Sequence, residues 1–509
     1  MGTLSPPEGR LRFMRNQRRA LLAIVVGIIL IFPTVLVTNA LLPVCAQPTR
    51  SATPTVTIEK TEAAGRLAEA VRFRTISPED ARDFDPQPFQ ALHNYLERVF
   101  PLVHRTLERQ IISGLSLLYT WKGQDRTLKP VLLLGHLDVV PVDSASEPRW
   151  RYPPFAGRIA DGYVWGRGTL DDKSAVVGIL EAVELLLAQG FQPTRTVQVA
   201  FGHDEEIGGQ LGAKQIAALF RSRGATFEYL LDEGLFVGSG IIPGATQPLA
   251  MVGIAEKGRL ALELSAARTA GHASMPPTTT AIGALSAALV RLDTNPMPAS
   301  VRPPVRQLLA CAAPSMGFTR RLILSNLWLF NRLVTWQLAK NPSTNAAVRT
   351  TSAVTIVQGG TKANVLPSEA RAIIDFRILP GDTSADVLAH IRRVVGAASL
   401  SVHILTASEP SPLTSVNTPE YGLLTRTIRE VFPDATVAPG LMIAATDSRH
   451  YLDLTTSVYR FLPVRFSRED LARFHGDNER ISIDAYADAV TFYSQLIRNS
   501  ATSTGKDSR

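Results

Sequence analysis

The chemistry available to this chain lies in a few histidines and acidic doublets. The apolar run Val131-Leu132-Leu133-Leu134-Gly135 stops at His136, and Asp138 follows two residues later. On an extended chain positions i and i+2 share a face, so imidazole and carboxylate point the same way. A metal ligand and the carboxylate that orients its ring are spaced like this, and so is a plain hydrogen-bonded pair at a strand end. Three acidic doublets, Asp171-Asp172, Glu205-Glu206 and Asp232-Glu233, follow short apolar runs or turns. Each alone fits a solvated loop or a helix N-terminus. Gathered with His136 at one sheet edge, they would repel one another unless a cation sat among them. Two divalent cations would balance three carboxylates and a hydroxide, and mixed imidazole and carboxylate ligands suit zinc, with manganese or cobalt as substitutes. His475, in Phe474-His475-Gly476-Asp477, supplies a second imidazole for the other ion. His272, in Gly271-His272-Ala273-Ser274, is better placed to meet a substrate.

The elements that must position these residues follow from periodicity. Residues 131–135, 164–168, 196–201 and 229–231 read as short strands that end at the motifs, and residues 176–187 as a helix with a core face. Strands alternating with helices predict an α/β domain with a mainly parallel, helix-covered sheet, whose carboxyl edge holds the site. At Gly258 the pattern changes. Strands at 260–266, 352–357, 370–378 and 401–405, with helices at 280–292 and 384–395, give β-α-β-β-α-β, the order of a ferredoxin-like α+β insert. Residues 296–347 do not fit that order; Leu322 to Phe330, Leu333 and Trp336 form an apolar-aromatic helical stretch. A helical hairpin packed on its own insert accounts for it, and a wall for an apolar substrate or a membrane-facing patch is the functional alternative. A chain of 509 residues is too long for one core. The division is residues 58–257 and 409–498 for one domain, 258–408 for the insert and 499–509 for a polar, disordered tail.

The N-terminus and the charge need separate reading. Net charge is +8, of which residues 1–46 hold +4, with Arg10, Arg12, Arg15, Arg18 and Arg19 against Glu8. The rest shows no basic block and no aromatic-basic interleaving, which argues against nucleic-acid binding. Residues 1–19 form a basic tail that should stay cytoplasmic, and residues 20–44 an apolar run long enough to span a bilayer. That run is a transmembrane anchor, or a signal peptide cut after Val44-Cys45-Ala46. The body then lies outside the cytoplasm, on a single-pass anchor in the first case and secreted or periplasmic in the second. Residues 45–57 have linker composition. With only Cys45 and Cys311 and no CxxC, a cysteine-ligated zinc site and a disulfide framework are both excluded.

In order along the chain, HLDVVP, GRGTLDDK, HDEEIGG, GHASMPP and FHGDNERI resemble the M20 metallopeptidase family. The closest branch is that of carboxypeptidase S and the N-fatty-acyl-amino-acid synthase/hydrolases, over about residues 60–498. The resemblance implies a two-zinc, exopeptidase-type catalytic domain with an inserted lid that often forms a homodimer. It implies His136, Asp171, Glu206, Asp232 and His475 as metal ligands, with Asp171 bridging, Asp138 orienting His136 and Glu205 as general acid/base. His272 resembles a lid histidine that stabilises an oxyanion, in some relatives from the partner subunit. Arg349 and Asn364 resemble contacts to a substrate carboxylate. Arg449 lies in a substrate-loop motif, Thr446-Asp447-Ser448-Arg449-His450, preceded by Ala444-Ala445 where glycine or another small polar residue is expected. The implied activity is zinc-dependent hydrolysis of the amide bond of N-acyl or N-fatty-acyl amino acids bearing a free carboxylate, with condensation as its reverse. A carboxypeptidase or dipeptidase acting on short peptides is the alternative. A catalytically inactive, membrane-anchored binding protein would have lost a ligand or the base, and none is missing.

Overall fold

The computed structural model describes residues 16–17, 21, 31–42, 45, 47, 56–396 and 400–502. The run that leads to His136 forms a strand buried at every position. In chain order the main strands are β1 (Glu108–Ile112), β2 (Ser116–Trp121), β3 (Val131–His136), β4 (Val197–Gly202), β5 (Leu230–Ser239) and β6 (Leu249–Glu256). They continue with β7 (Gly258–Ala267), β8 (Thr351–Gly359), β9 (Glu369–Ile378), β10 (Ser401–Ser408), β11 (Thr436–Met442) and β12 (Val458–Ser467). The helices that bear on the site are α1 (31–41), α2 (Lys173–Ala188), α3 (Ala281–Thr294), α4 (Pro303–Ala312), α5 (Phe318–Ser325), α6 (Leu327–Leu338), α7 (Ser384–Val395) and α8 (Ile483–Thr502).

Eight strands make the central sheet in the order β1-β2-β4-β3-β5-β12-β6-β11. It is mixed, not mainly parallel as the alternation of elements suggested. The centre, β4-β3-β5-β12, is parallel, whereas β1, β2 and β4 pair antiparallel and β12 meets β6 antiparallel. The turn at Ser113-Gly114, both with positive φ, is too short for a crossover and forces β1 and β2 into a hairpin. Behind the sheet, α2 is buried almost all round, because it lies between β3 and α8 and packs Val176, Leu180 and Val183 into one core with Tyr486, Val490 and Tyr493.

The insert forms its own antiparallel sheet, β8-β9-β7-β10, with α3 and α7 on one face. Leu260, Leu262 and Leu264 of β7 and Ile374, Phe376 and Ile378 of β9 point into that layer, alternating with residues on the other face. The helical stretch at 296–347 is not a hairpin on its own insert. Val305 and Leu309 of α4 and Leu327 and Val334 of α6 pack with Ala255 of β6 and Leu441 of β11, so the helices cover the edge of the central sheet. The edge strands of the insert's own sheet, β8 and β10, are left exposed at every residue but Thr351.

About half of the run at 20–44 and most of the basic tail and of the linker lie outside the described residues. Among the described residues no helix is long and apolar enough to cross a membrane. The described part of the run, α1, rests on α5 and α6. Phe32 and Trp328 meet edge to face at 6.1 Å, and the Asn39 amide donates to Asn326 Oδ1 at 2.9 Å. Asn326 donates in turn to the Leu36 carbonyl at 3.0 Å, so one asparagine satisfies two turns of α1. The two cysteines pair: Cys45 is disulfide-bonded to Cys311 of α4, 266 residues away. Gln47 then hydrogen-bonds the N–H and C=O of Val437 on the edge strand β11, which caps an edge that would otherwise be open. Digestion without reductant should release the peptide holding Cys45 joined to the peptide holding Cys311. Free thiols at both positions would contradict the tether.

Candidate metal centre

His136 ends β3 at the carboxyl edge of the parallel core. Its Nδ1 donates to the Asp138 carbonyl at 3.0 Å, which leaves the Nε2 lone pair facing the site. The Asp138 carboxylate lies 3.3 Å from the same Nδ1 and does a second job. Its two oxygens accept the backbone N–H groups of Glu205 and Glu206, each at 3.1 Å. One buried carboxylate thus fixes both the imidazole on β3 and the glutamate turn after β4.

Asp171 sits at the start of α2 between the two histidines. Its Oδ1 is 2.9 Å from His136 Nε2 and its Oδ2 is 3.1 Å from His475 Nε2. Glu206 Oε2 lies 3.2 Å from the same nitrogen of His475, and Glu233 Oε1 lies 3.6 Å from His136 Nε2. Each imidazole therefore faces the shared Asp171 and one glutamate of its own. The potential ligand atoms of His136, Asp171 and Glu206, and those of His136, Glu205 and Glu233, converge to within 4.8 Å.

Glu233 stands where Asp232 was expected. The doublet does not end a strand; β5 runs on to Ser239. Arg460 of β12 pairs with Asp232 and the next residue, Phe461, pairs with Leu235, so Glu233 and Gly234 bulge out of the ladder. A bulge re-aims a side chain, and this one turns Glu233 toward His136. Gly234 has φ 143°, and a Cβ there would lie 2.8 Å from the Arg460 Cβ, so the bulge requires glycine. Asp232, on the other side, accepts the Ser448 N–H at 2.7 Å. It anchors the loop of Arg449. The same loop is held by Glu256, which accepts from the Thr446 N–H and hydroxyl and from the buried Arg460.

Sequence reading also passed over Arg167 and Glu479. Glu479 is fully buried and accepts from the Arg167 guanidinium and from the N–H groups of Gly168 and Leu170. Arg167 also donates to the carbonyls of His475 and Gly476. The loop carrying Asp171 is thereby fastened to the loop carrying His475. Removing one partner of such a buried pair typically costs about 3–5 kcal/mol. Both residues lie inside quoted motifs, but nothing in their spacing separates a structural ion pair from a ligand.

The electrostatics call for a cation. Burial raises the Glu205 carboxyl well above the usual range, and nearby Asp447 adds to the rise. Burial and then Asp171 do the same to Glu233. His475, hydrogen-bonded to Asp171 and then Glu206, is lifted to about 10. Glu206 Oε1 is buried without a hydrogen-bond partner. Carboxylates that resist ionisation, an imidazole that clings to a proton and an orphaned ligand oxygen are what a divalent ion would relieve. The nitrogen and oxygen donor set fits zinc.

A cavity of about 1530 Å³ opens from this cluster. Asp171, Glu205, Glu206, Glu233, His475 and Arg449 line it, together with Leu309, Met316, Leu324, Val334 and Leu338. Arg449 lies on its wall with Nη2 3.6 Å from Glu205 Oε1. The other expected substrate contacts do not reach it. His272 is exposed on a short ladder beside Val365 and bonds Ser274. Asn364 accepts the Ala273 N–H through its backbone. Arg349 is tied back to Asn345 and to the Met297 carbonyl.

Residues 132–499 match the family model described as Peptidase family M20/M25/M40. The chain is 44% identical over 448 residues to "Probable carboxypeptidase S-like 2" of Dictyostelium discoideum, covering 87% of this chain and 86% of that one. It is 38% identical over 490 residues to human "N-fatty-acyl-amino acid synthase/hydrolase PM20D1", covering 94% and 96%. Among solved structures, an M20 family metallo-carboxypeptidase, Sso-CP2 from Sulfolobus solfataricus, superposes with a TM-score of 0.63 at 18% identity. That match covers 87% of this chain and 100% of the other and speaks for the fold.

The bulge separates the two members of the third doublet experimentally. Glu233→Gln should lower bound zinc and activity together. Asp232→Asn should keep the metal while lowering thermal stability and kcat/KM through the Arg449 loop. Metal analysis by mass spectrometry of both purified variants checks this, and the reverse pattern would restore Asp232 as the ligand.

Proposed function

The chain belongs to peptidase family M20/M25/M40, and from that membership we propose that it hydrolyses the amide bond of N-acyl amino acids with a long acyl chain. The observation that carries this reading is the cavity, which joins the His-carboxylate cluster to an apolar chamber walled by α4, α5 and α6. Short peptides need no such chamber. A long acyl chain gains about 0.8 kcal/mol for each methylene it buries there. The similarity to proteins named N-fatty-acyl-amino acid synthase/hydrolase supports the same substrate class.

His136, Asp171, Glu206, Glu233 and His475 would hold two zinc ions, with Asp171 shared. When bound, zinc lowers the pKa of water and polarises a carbonyl. Glu205 does the proton work. It takes a proton from the attacking water and delivers it to the leaving amine as the C–N bond breaks, giving a free fatty carboxylate and an amino acid. Its raised carboxyl pKa suits a group that must both accept and give up a proton. Run backward, the same steps condense the two and release water. Arg449, on the cavity wall beside Glu205, offers a guanidinium for the substrate's carboxylate. The exposure of His272 and Asn364 away from this cavity fits delivery of His272 to the cavity of a second copy in a homodimer.

The Cys45–Cys311 disulfide favours placing the body outside the cytoplasm, where such bonds persist. A cut after Ala46 would leave the leader still fastened to α4, which favours the retained anchor.

Glu205→Gln should lower kcat by ~10²–10⁴-fold while zinc content stays at the wild-type level. Zinc lost along with activity would make Glu205 a ligand instead. On a substrate panel, kcat/KM for an N-oleoyl amino acid should exceed that for its N-acetyl analogue by on the order of a hundredfold or more, and a chelator should abolish both. Preference for the N-acetyl compound or for dipeptides would assign the enzyme to short peptides.

A further inference from the structure

The pair α5–α6 has two different sides. The inner side lines the cavity through Ile323, Leu324, Val334 and Leu338. The outer side carries Trp328 and Trp336, 59% and 57% exposed, with Leu329 and Leu333 between them. Trp328, Arg332, Trp336 and Lys340 recur every four residues and so form one stripe along α6 and its C-terminal turn. Lys340 Nζ lies 3.4 Å from the centre of the Trp336 ring. Leu333 belongs to both sides, lining the cavity while half exposed. Contiguous exposed aromatic surface of this kind marks an interaction site.

Charge and continuity say what covers it. Between Asp293 and Glu369 the sequence contains no acidic residue, while Arg321, Arg332 and Lys340 lie in or just after α5 and α6. Helix faces that combine tryptophan, leucine and basic residues lie in the headgroup region of bilayers, and each basic side chain favours anionic lipid. The patch is continuous with α1, which packs Phe32 on Trp328, accepts from Arg321 at the Leu41 carbonyl, and exposes Ile31, Phe32 and Val35. Helix α1 belongs to the apolar run at 20–44, the segment of this chain that a bilayer would receive.

We propose that the outer face of α5–α6, with α1 beside it, docks into the headgroup region of an anionic lipid bilayer, and that acyl chains pass between bilayer and cavity across this wall. The second half rests on the N-acyl-amino-acid reading. N-acyl amino acids with long chains are amphiphiles that partition into lipid, so a cavity wall lying in the bilayer shortens their path through water. The wall is thin there, one helix pair deep, and Leu333 touches both sides.

Tryptophan fluorescence of the full chain reconstituted into vesicles tests this, because the other tryptophans, Trp121, Trp150 and Trp165, are buried. In phosphatidylcholine–phosphatidylserine vesicles with brominated acyl chains, wild-type emission should be quenched, and the residual emission of a Trp328→Phe/Trp336→Phe variant should not. Equal wild-type emission in brominated and unbrominated vesicles overturns the proposal. So does shielding of both tryptophans from acrylamide by self-association in lipid-free protein, which would assign the face to a second copy. Arg332→Gln/Lys340→Gln should reduce quenching and slow hydrolysis of bilayer-borne N-oleoyl amino acid roughly tenfold, with soluble N-acetyl substrate unaffected. N-oleoyl hydrolysis without quenching leaves the enzymatic reading standing and removes the docking. Quenching without N-oleoyl hydrolysis keeps the docking and removes the passage of substrate.

Discussion

Repulsion among crowded, part-buried carboxylates is the constraint on which the rest of this structure depends. Asp171, Glu205, Glu206 and Glu233 converge on two imidazoles at the mouth of the cavity. Such a cluster holds together only if rigid elements force it and a cation relieves it. The cation belongs to the chemistry, and the forcing belongs to the fold. The parallel centre of the sheet delivers His136, the Glu205 turn and Glu233 to one edge, and the N-terminus of α2 adds Asp171.

Around that cluster a second set of polar groups works at one remove. Asp138 holds an imidazole and a backbone turn at once. Glu479 and Arg167 lock together loops about three hundred residues apart in sequence. Asp232 and Glu256 hold the loop from which Arg449 reaches Glu205. In each case a buried charge is saturated by backbone N–H groups or by an opposite charge, which is the condition for burying it. Glu205 differs in kind, since it meets the cavity and burial raises its carboxyl above the usual range.

The insert adds what a bare catalytic sheet lacks. Its ordered α+β layer has its own core, but the helices between β7 and β8 leave that layer and cover the edge of the central sheet. They enclose an apolar chamber on one side and present tryptophan and basic residues on the other. The disulfide from Cys45 to α4 and the packing of α1 hold the N-terminal segment against the same helices. Chamber, N-terminal segment and exposed face form one connected region.

Much of this was legible in the sequence because it is local. An unbroken apolar run ending in His-x-Asp reads as a buried strand with a site at its end, and β3 is buried throughout. Alternation along 260–266 and 370–378 reads as half-buried strands, since side chains in a strand have period two. The acidic doublets declared which residues crowd together but not which member turns inward. For Asp232-Glu233 that choice was made by a bulge against β12, more than two hundred residues away, together with a glycine that fits beneath Arg460. Non-local pairing also decided the mixed sheet edges, the Arg167–Glu479 lock, the partnership of the two cysteines and the surface that 296–347 covers. Sequence periodicity reports what each segment must bury; only tertiary packing decides against what, because the competing apolar surfaces lie far apart along the chain.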